Sequence, residues 1–556
     1  NGNNNTAVGH ESLEANTTGE ANVAVGRQAL EANTTGNENT AVGAYALDAN
    51  TTGDNNTAVG RQALTANTTA DDNVAVGDNA LNSSTTGDGL TAIGTEALLY
   101  NTTGSNNTAV GRQALETNTT GTENVAVGAY ALDNSSTSSY NTAVGYGALT
   151  QMTTGNSNTA LGHRASDVST TASNTVAVGT DALGSLTTGN ANVAIGKDTL
   201  SQLTTVSDMV AVGFKALEQN TTGVENTAVG AFAADAVTTG IRNTALGQKA
   251  LTSATTGNYN TAVGFGALAD TNSENNTAVG HLALNLQTTG GNNTAVGNGA
   301  GDAITTSGSN TLVGALAGSA HATGGGLTAF GFEAGLVNTN SGNTFIGTEA
   351  GESNTTGYNN TYIGNDAGDS ATTGYNNVIV GINSNLQAAD SNNEIVIGYD
   401  LAGIATNYFV FGKGNGVDRV YNQFTSNASW TRASDERYKK EIKDNTDCGL
   451  AFINDLRPVT FKWKARAELD NSLPDYDADL TEAEHPEKLY GLIAQEVKAA
   501  LDKHNITDFG GWSETKNDQI QGISQEMFVH PLIKAVQELS AEITTLKSEI
   551  AALKGG

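Results

Sequence analysis

Proline is missing from the first 457 residues of this 556-residue chain, and all four prolines follow. A stretch that long without proline suits a stacked backbone in which few N–H groups go unpaired. Charged residues are scarce at 15% and aromatics at 6%, which argues against several conventional cores. The polarity comes instead from small uncharged side chains, with 66 glycines and recurring Asn and Thr, a poor fit to charged disorder. Lys and Arg number 26 against 57 acids, for a net charge of -31. That balance opposes nucleic-acid binding, because phosphate recognition relies on basic side chains. The single cysteine, Cys448, excludes an intrachain disulfide framework and any multi-cysteine metal site, and neither metal nor cofactor is expected. No apolar run of about 20 residues is present to insert in a bilayer. The chain starts at Asn1 without Met or a signal-like segment, as expected of a processed or truncated product.

The charges mark a boundary. Residues 434–556 hold 15 Lys and Arg against 23 acids, whereas the first 433 residues hold 11 against 34. In the larger part the pentamer Asn-Thr-Ala-Val-Gly returns with its Gly at 9, 26, 43, 60 and onward to 398, giving 24 copies. Of the 23 intervals, 21 are 17 residues and two, ending at Gly280 and Gly347, are 16. A fixed period of this kind predicts a mostly β chain with a parallel β-roll solenoid of about 24 coils over 1–398.

A typical unit, Asn39 to Gly53, reads NTAVGAYALDANTTG. Its two short apolar stretches each suit a short strand, followed by a polar turn. In the first stretch the second and fourth positions share a face, and that face is expected to point into the solenoid. The third position, usually Ala, is left to close packing on the other side; it enlarges near the end, at Leu312, Phe345, Tyr362 and Ile379. The invariant Gly fits a corner that needs positive φ or a close backbone approach. Asn opens 19 of the 24 copies, and stacking would align these amides into a ladder spaced about 4.8 Å. Each coil offers little core, so association of chains would help it. Twenty-four coils would make a rod on the order of 115 Å.

The pattern NTAVGxxAL followed by NTTG resembles the head repeats of trimeric autotransporter adhesins, a resemblance that implies a left-handed parallel β-roll packed as a homotrimer. The unit here is 17 residues, where the adhesin unit is commonly shorter, and nothing in the chain could form the membrane-anchor barrel of those adhesins. Asn-Thr-Thr, as at Asn16, Asn33 and Asn50, matches an N-glycosylation acceptor, but glycosylation needs a secretory route the sequence does not show, and an unmodified turn is the expectation. Rows of Thr would also order water as in ice-binding solenoids, although a solvated turn is the plainer reading. The histidines that break the repeat, His10, His163 and His281, read as isolated surface residues.

Residues 399–433 lose the repeat but keep strand-like stretches at Tyr408 to Phe411 and Val417 to Phe424, and read as a β-rich neck. Gly412-Lys413-Gly414-Asn415-Gly416 has the wrong spacing for a phosphate loop and reads as a turn. From Ser434 the chain reads SDERYKKEIKD, then Leu456-Arg457-Pro458-Val459-Thr460-Phe461-Lys462-Trp463, then Tyr490-Gly491-Leu492-Ile493-Ala494-Gln495-Glu496-Val497. These are α/β patterns. In this order, ahead of a terminal heptad seam, they resemble the intramolecular chaperone autoprotease domain of phage endosialidases and tail fibres.

That resemblance implies an α/β chaperone domain over 434–528 that cleaves its own chain between Ala433 and Ser434, with Ser434 as nucleophile, Lys439 as base and Asp435 in an orienting role. A Lys acts as base at neutral pH only if partial burial lowers its ammonium pKa. On a helix, five residues would separate Ser434 and Lys439 by about 140°, so their meeting would need a folded turn or a neighbouring chain. Read without the family, Ser434 is a helix N-cap and Lys439 a solvated helix residue beside Lys440. Over 529–556, Val529, Val536, Ile543 and Ile550 alternate with Leu532, Leu539, Leu546 and Leu553 in an unbroken a/d seam. Such a seam leans toward a parallel dimer, whereas the resemblance implies a trimeric coiled coil, and a trimer is the expectation.

The leading functional expectation is a trimeric phage tail-fibre or adhesin shaft in a virion tail or at an extracellular surface, matured by self-cleavage. Its partners would be its own copies, a host-surface glycan or protein receptor, and a virion baseplate. A polysaccharide-degrading tailspike is the second reading, opposed by the lack of clustered carboxylates and aromatics in the repeats. An ice-binding or surface fibre is the third.

Overall fold

The structure is a computed structural model that describes the chain apart from residues 1, 416–417, 424–430, 433–440, 472–475, 477, 480, 483–487, 515–519 and 556, with 431–432 described in backbone only. The chain divides into two compact units, Asn1–Ala433 and Ser434–Gly556.

The first unit is a parallel β-solenoid of about 24 turns. Each turn carries one short strand: β1 (Thr6–Val8), β2 (Val23–Val25) and so on through β23 (Val378–Val380) to β24 (Ile395–Tyr399). Each strand pairs in parallel with the next, as Thr6 with Val23, Ala7 with Ala24 and Val8 with Val25. The shorter repeats keep that register, with Thr261 opposite Thr277. The second apolar stretch, expected as a strand, is a run of turns. Tyr45 and Leu47 within it have φ of 62° and 51°, left-handed values that a strand does not adopt. Corresponding residues recur in the neighbouring coils and bend the backbone round.

The side-chain alternation is the reverse of the expectation. Ala41, in the third position, is fully buried, while Thr40 and Val42 are half-buried on the outside. The coil interior is narrow and already holds Leu47 from the turn and Asn39 and Asn50 from either side, so only a methyl group fits from the strand. The enlarged third positions fit the same account. Phe345 fills the space of two turn leucines: a Cβ on Gly335 or on Gly351 would lie 2.7 Å from its ring.

The invariant glycines behave as expected. Gly43 has φ 140°, and a Cβ there would lie 2.3 Å from the carbonyl oxygen of Gly60 in the next coil. The pentamer asparagines form a ladder that runs through the backbone. Asn39 Oδ1 accepts from the Asn56 amide at 2.9 Å, and its Nδ2 donates to the Gly53 carbonyl at 2.7 Å. A second ladder, not anticipated, links the Asn-Thr-Thr side chains directly: Asn33 Nδ2 donates to Asn16 Oδ1, and Asn50 Nδ2 to Asn33 Oδ1, each at 2.9 Å. Asn33 and Asn50 are fully buried, which leaves no room for a glycan on them. In many turns the first Thr likewise spends its hydroxyl on the next coil, as Thr34 Oγ1 does on the Thr51 carbonyl at 2.9 Å.

Beyond the repeat the sheet continues. Strand β25 (Tyr408–Lys413) pairs in parallel with β24, and β26 (Arg419–Gln423) then turns back antiparallel to it, followed by β27 (Thr431–Arg432).

The second unit contains α1 (Leu450–Asp455), β28 (Val459–Phe461), β29 (Leu489–Gly491), α2 (Ala494–Lys503), β30 (Trp512–Glu514), β31 (Gln521–Ile523) and α3 (Val529–Lys554). Helix α2 buries Val497, Ala500 and Leu501, spaced for one helical face. Against them pack Phe452, Ile506 and Cys448. The rings of Phe509 and Phe528 lie 5.9 and 6.4 Å from that of Phe452.

Candidate functional site

Ser434, Asp435, Lys439 and the Ala433 side of the expected cleavage point lie outside the described residues. What the structure does place is the frame that follows them. The second and third of the three chaperone-like motifs meet as neighbouring strands, with Val459 opposite Gly491, Thr460 opposite Tyr490 and Phe461 opposite Leu489. Arg457, just before β28, forks onto Glu496 in α2, its Nε 3.1 Å from Oε2 and its Nη2 paired with Oε1. These hydrogen bonds hold the Glu496 carboxyl below its ordinary range. At the end of α1, Asp455 accepts from Lys503 Nζ at 2.8 Å and pairs with His504 Nε2 at 2.5 Å. Both partners depress its pKa.

A third tie was not legible in the sequence. Helix α1 starts at Gly449 without a side-chain cap of its own. The carboxylate of Glu538, from the middle of α3, accepts the Leu450 amide at 2.6 Å instead. A Cβ on Gly449 would lie 2.3 Å from that carboxylate, so a glycine admits the distant cap. No local motif announces a cap supplied from 88 residues away.

Helix α3 buries only Pro531 and Ala535. All eight seam residues, Val529, Leu532, Val536, Leu539, Ile543, Leu546, Ile550 and Leu553, are exposed, from 43% at Ile543 to 83% at Leu553. The same unit leaves Trp463 and Tyr490 largely exposed, and Trp463 borders a cavity of about 550 Å³ with Phe461, Leu492, Ile493 and Ile523.

In the solenoid, the histidines read as isolated have neighbours. His163 stacks on Tyr146 with centroids 5.5 Å apart, His281 stacks on Phe265 at 5.5 Å, and His10 lies 3.2 Å from Glu11. Among the described residues, two trios could share a cation, Glu11–Glu14–Glu31 and Glu333–Glu349–Glu352, each with oxygens within 4.8 Å. Burial, then the charges of Glu349 and Glu333, raise the Glu352 carboxyl above its ordinary range.

No curated protein and no solved structure matches the chain. One family model does, and it falls on the segment that begins at the expected nucleophile: residues 434–506 match the family described as the chaperone of endosialidase.

Proposed function

We propose that the chain is a homotrimeric phage tail-fibre or adhesin shaft for attachment to a host or surface, assembled by a C-terminal intramolecular chaperone that then cuts itself away. The carrying observation is the succession in one chain of a long β-solenoid and an endosialidase-type chaperone segment from residue 434. Two exposed apolar surfaces support the homotrimer. One is the α3 seam, which a lone helix in water would not keep exposed without a partner. The other runs along the solenoid strands at the fourth pentamer position, where Ile93, Leu161, Leu246 and Phe330 are 41 to 55% exposed.

In the cleavage step, the uncharged Lys439 amine takes the proton of Ser434 Oγ, which attacks the Ala433 carbonyl carbon. The C–N bond breaks as the Ser434 nitrogen takes a proton, leaving an ester between Ala433 and Ser434. Water hydrolyses the ester, giving an Ala433 carboxylate and a chaperone fragment that starts at Ser434 with its hydroxyl restored. Release after folding leaves the shaft kinetically trapped.

Intact mass of the wild-type chain beside Ser434→Ala, with native mass on both samples, tests this. The expected result is a fragment starting at Ser434 in the wild type only, and a trimeric shaft. An uncut wild type would withdraw Ser434 and Lys439 as catalytic and leave the segment as a permanent cap.

A further inference from the structure

Two residues after each pentamer glycine the backbone is left-handed, and these positions stack into a surface column, as Gln113 (φ 56°), Tyr130 (62°), Gly147 (64°) and Arg164 (54°). Three of the 24 positions are glycine: Gly147, Gly266 and Gly299. At two of them the next coil fills the missing side chain's place. A Cβ on Gly266 would lie 2.8 Å from Leu282 Cδ2, and one on Gly299 would lie 2.9 Å from Leu316 Cδ2. At Gly147 the nearest atoms are Thr150 Oγ1 at 3.2 Å and Arg164 Cγ at 3.8 Å. From the next coil the column is open there, with Arg164 Cγ its closest atom.

The opening is a cavity of about 290 Å³ lined by Tyr130, Tyr146, Thr150, Arg164 and Asp167. Tyr146 is 54% exposed; it is held by the stacked His163 ring and meets Tyr130 edge-on at 5.6 Å. Arg112 lies 5.3 Å over the Tyr130 ring on the other side. Opposite the aromatics, Arg164 Nε donates to Asp167 Oδ2 at 2.8 Å. The other carboxylate oxygen, Asp167 Oδ1, is buried, as is the equivalent Asp48 Oδ1 of an earlier coil, so it is Oδ2 and the guanidinium that meet the cavity. The cavity thus joins two phenol rings to the Arg164 guanidinium, which Asp167 holds and which Asp181 Oδ1 approaches to 3.9 Å. Its volume sits at the small end of ligand sites.

We propose that this cavity binds one neutral pyranose ring of a surface glycan. A sugar ring carries a C–H face that packs on tyrosine and a rim of vicinal hydroxyls. Those hydroxyls can accept from the Arg164 guanidinium and donate to Thr150 Oγ1, both of which line the cavity. An anionic sugar is disfavoured by the acidic field of the solenoid. The proposal deepens the attachment reading and rests on it for the source of the sugar; the binding chemistry stands on the cavity alone.

Saturation-transfer NMR of the full chain with the methyl glycosides of glucose, galactose, mannose and N-acetylglucosamine tests it, beside Tyr146→Ala and Gly147→Gln. Glutamine occupies this column at Gln113 with φ 56°, so Gly147→Gln fills the cavity with a residue the coil accepts. The expected result is transfer to at least one glycoside in the wild type, weakened about tenfold or more in both variants. No transfer from any of the four, or transfer that survives either variant, overturns the proposal. Either failure leaves the Ser434 mass shift and the trimer mass unaffected, so the attachment shaft and its sugar site fail separately.

Discussion

Within one coil, side-chain volume is traded between two positions. Where the turn carries Leu47, the strand carries Ala41; where the turn carries Gly351, the strand carries Phe345, and all four are buried. Adding a turn leucine without removing the ring therefore overpacks the coil. Gly351→Leu is expected to destabilise the solenoid by about 1–3 kcal/mol. Adding Phe345→Ala is expected to recover much of that loss, since Leu already adopts the left-handed conformation at Leu47. A double-mutant cycle by chemical denaturation checks the coupling, and strictly additive losses would refute it. Both halves of this trade are visible in the sequence as changes in the later repeats. Its direction was not, because a two-residue alternation says which side chains share a face and leaves open which face is inside.

Short elements were the least legible. The stretch AYAL is as apolar as a strand, yet a run of that length does not distinguish strand from turn, and here every second residue is left-handed. The long element was plain from its heptads: α3 spans Val529–Lys554, and the second and third of the chaperone-like motifs ahead of it pair as strands. The ties made by Asp455 and Glu538 join residues 48 to 88 positions apart, which no local pattern reveals. The α3 seam carries a prediction of its own. Leu539→Asp with Leu546→Asp places charge on the exposed seam and leaves the buried Pro531 and Ala535 side untouched. Native mass is expected to shift from trimer to monomer, and a trimer that persists would separate α3 from assembly.

Across the chain, the two units answer acid in opposite senses. In the solenoid, against one exposed carboxyl, Glu225, that its hydrogen bond to Arg242 depresses, burial raises the carboxyls of Asp48, Asp133, Glu352 and Glu394. Their folded pKa values exceed the unfolded ones, so ionisation weighs against the fold at neutral pH and proton uptake relieves it as pH falls. In the C-terminal unit, Asp455 and Glu496 are depressed. Their contribution is present above the unfolded values and is lost as pH falls through the folded ones. Calorimetry of uncut Ser434→Ala from pH 7 down to about 3.5 is expected to show the solenoid transition rising first and the C-terminal transition falling below about pH 4. Two transitions falling together would contradict this assignment.

The in-register ladder has a consequence for alignment. Most coils present their neighbours with the same Gly, Asn and Ala, so two chains laid one coil out of step would match along most of their length. The places where such an error shows are few: the 16-residue coils ending at Gly280 and Gly347, and the enlarged interior at Phe345 and Tyr362. All lie in the half nearer the C-terminal unit. In the first 250 residues the marks are only single substitutions, Leu90, Thr175 and Met209 in place of the ladder Asn, so the changes of coil length that index one chain against another come later in the repeat.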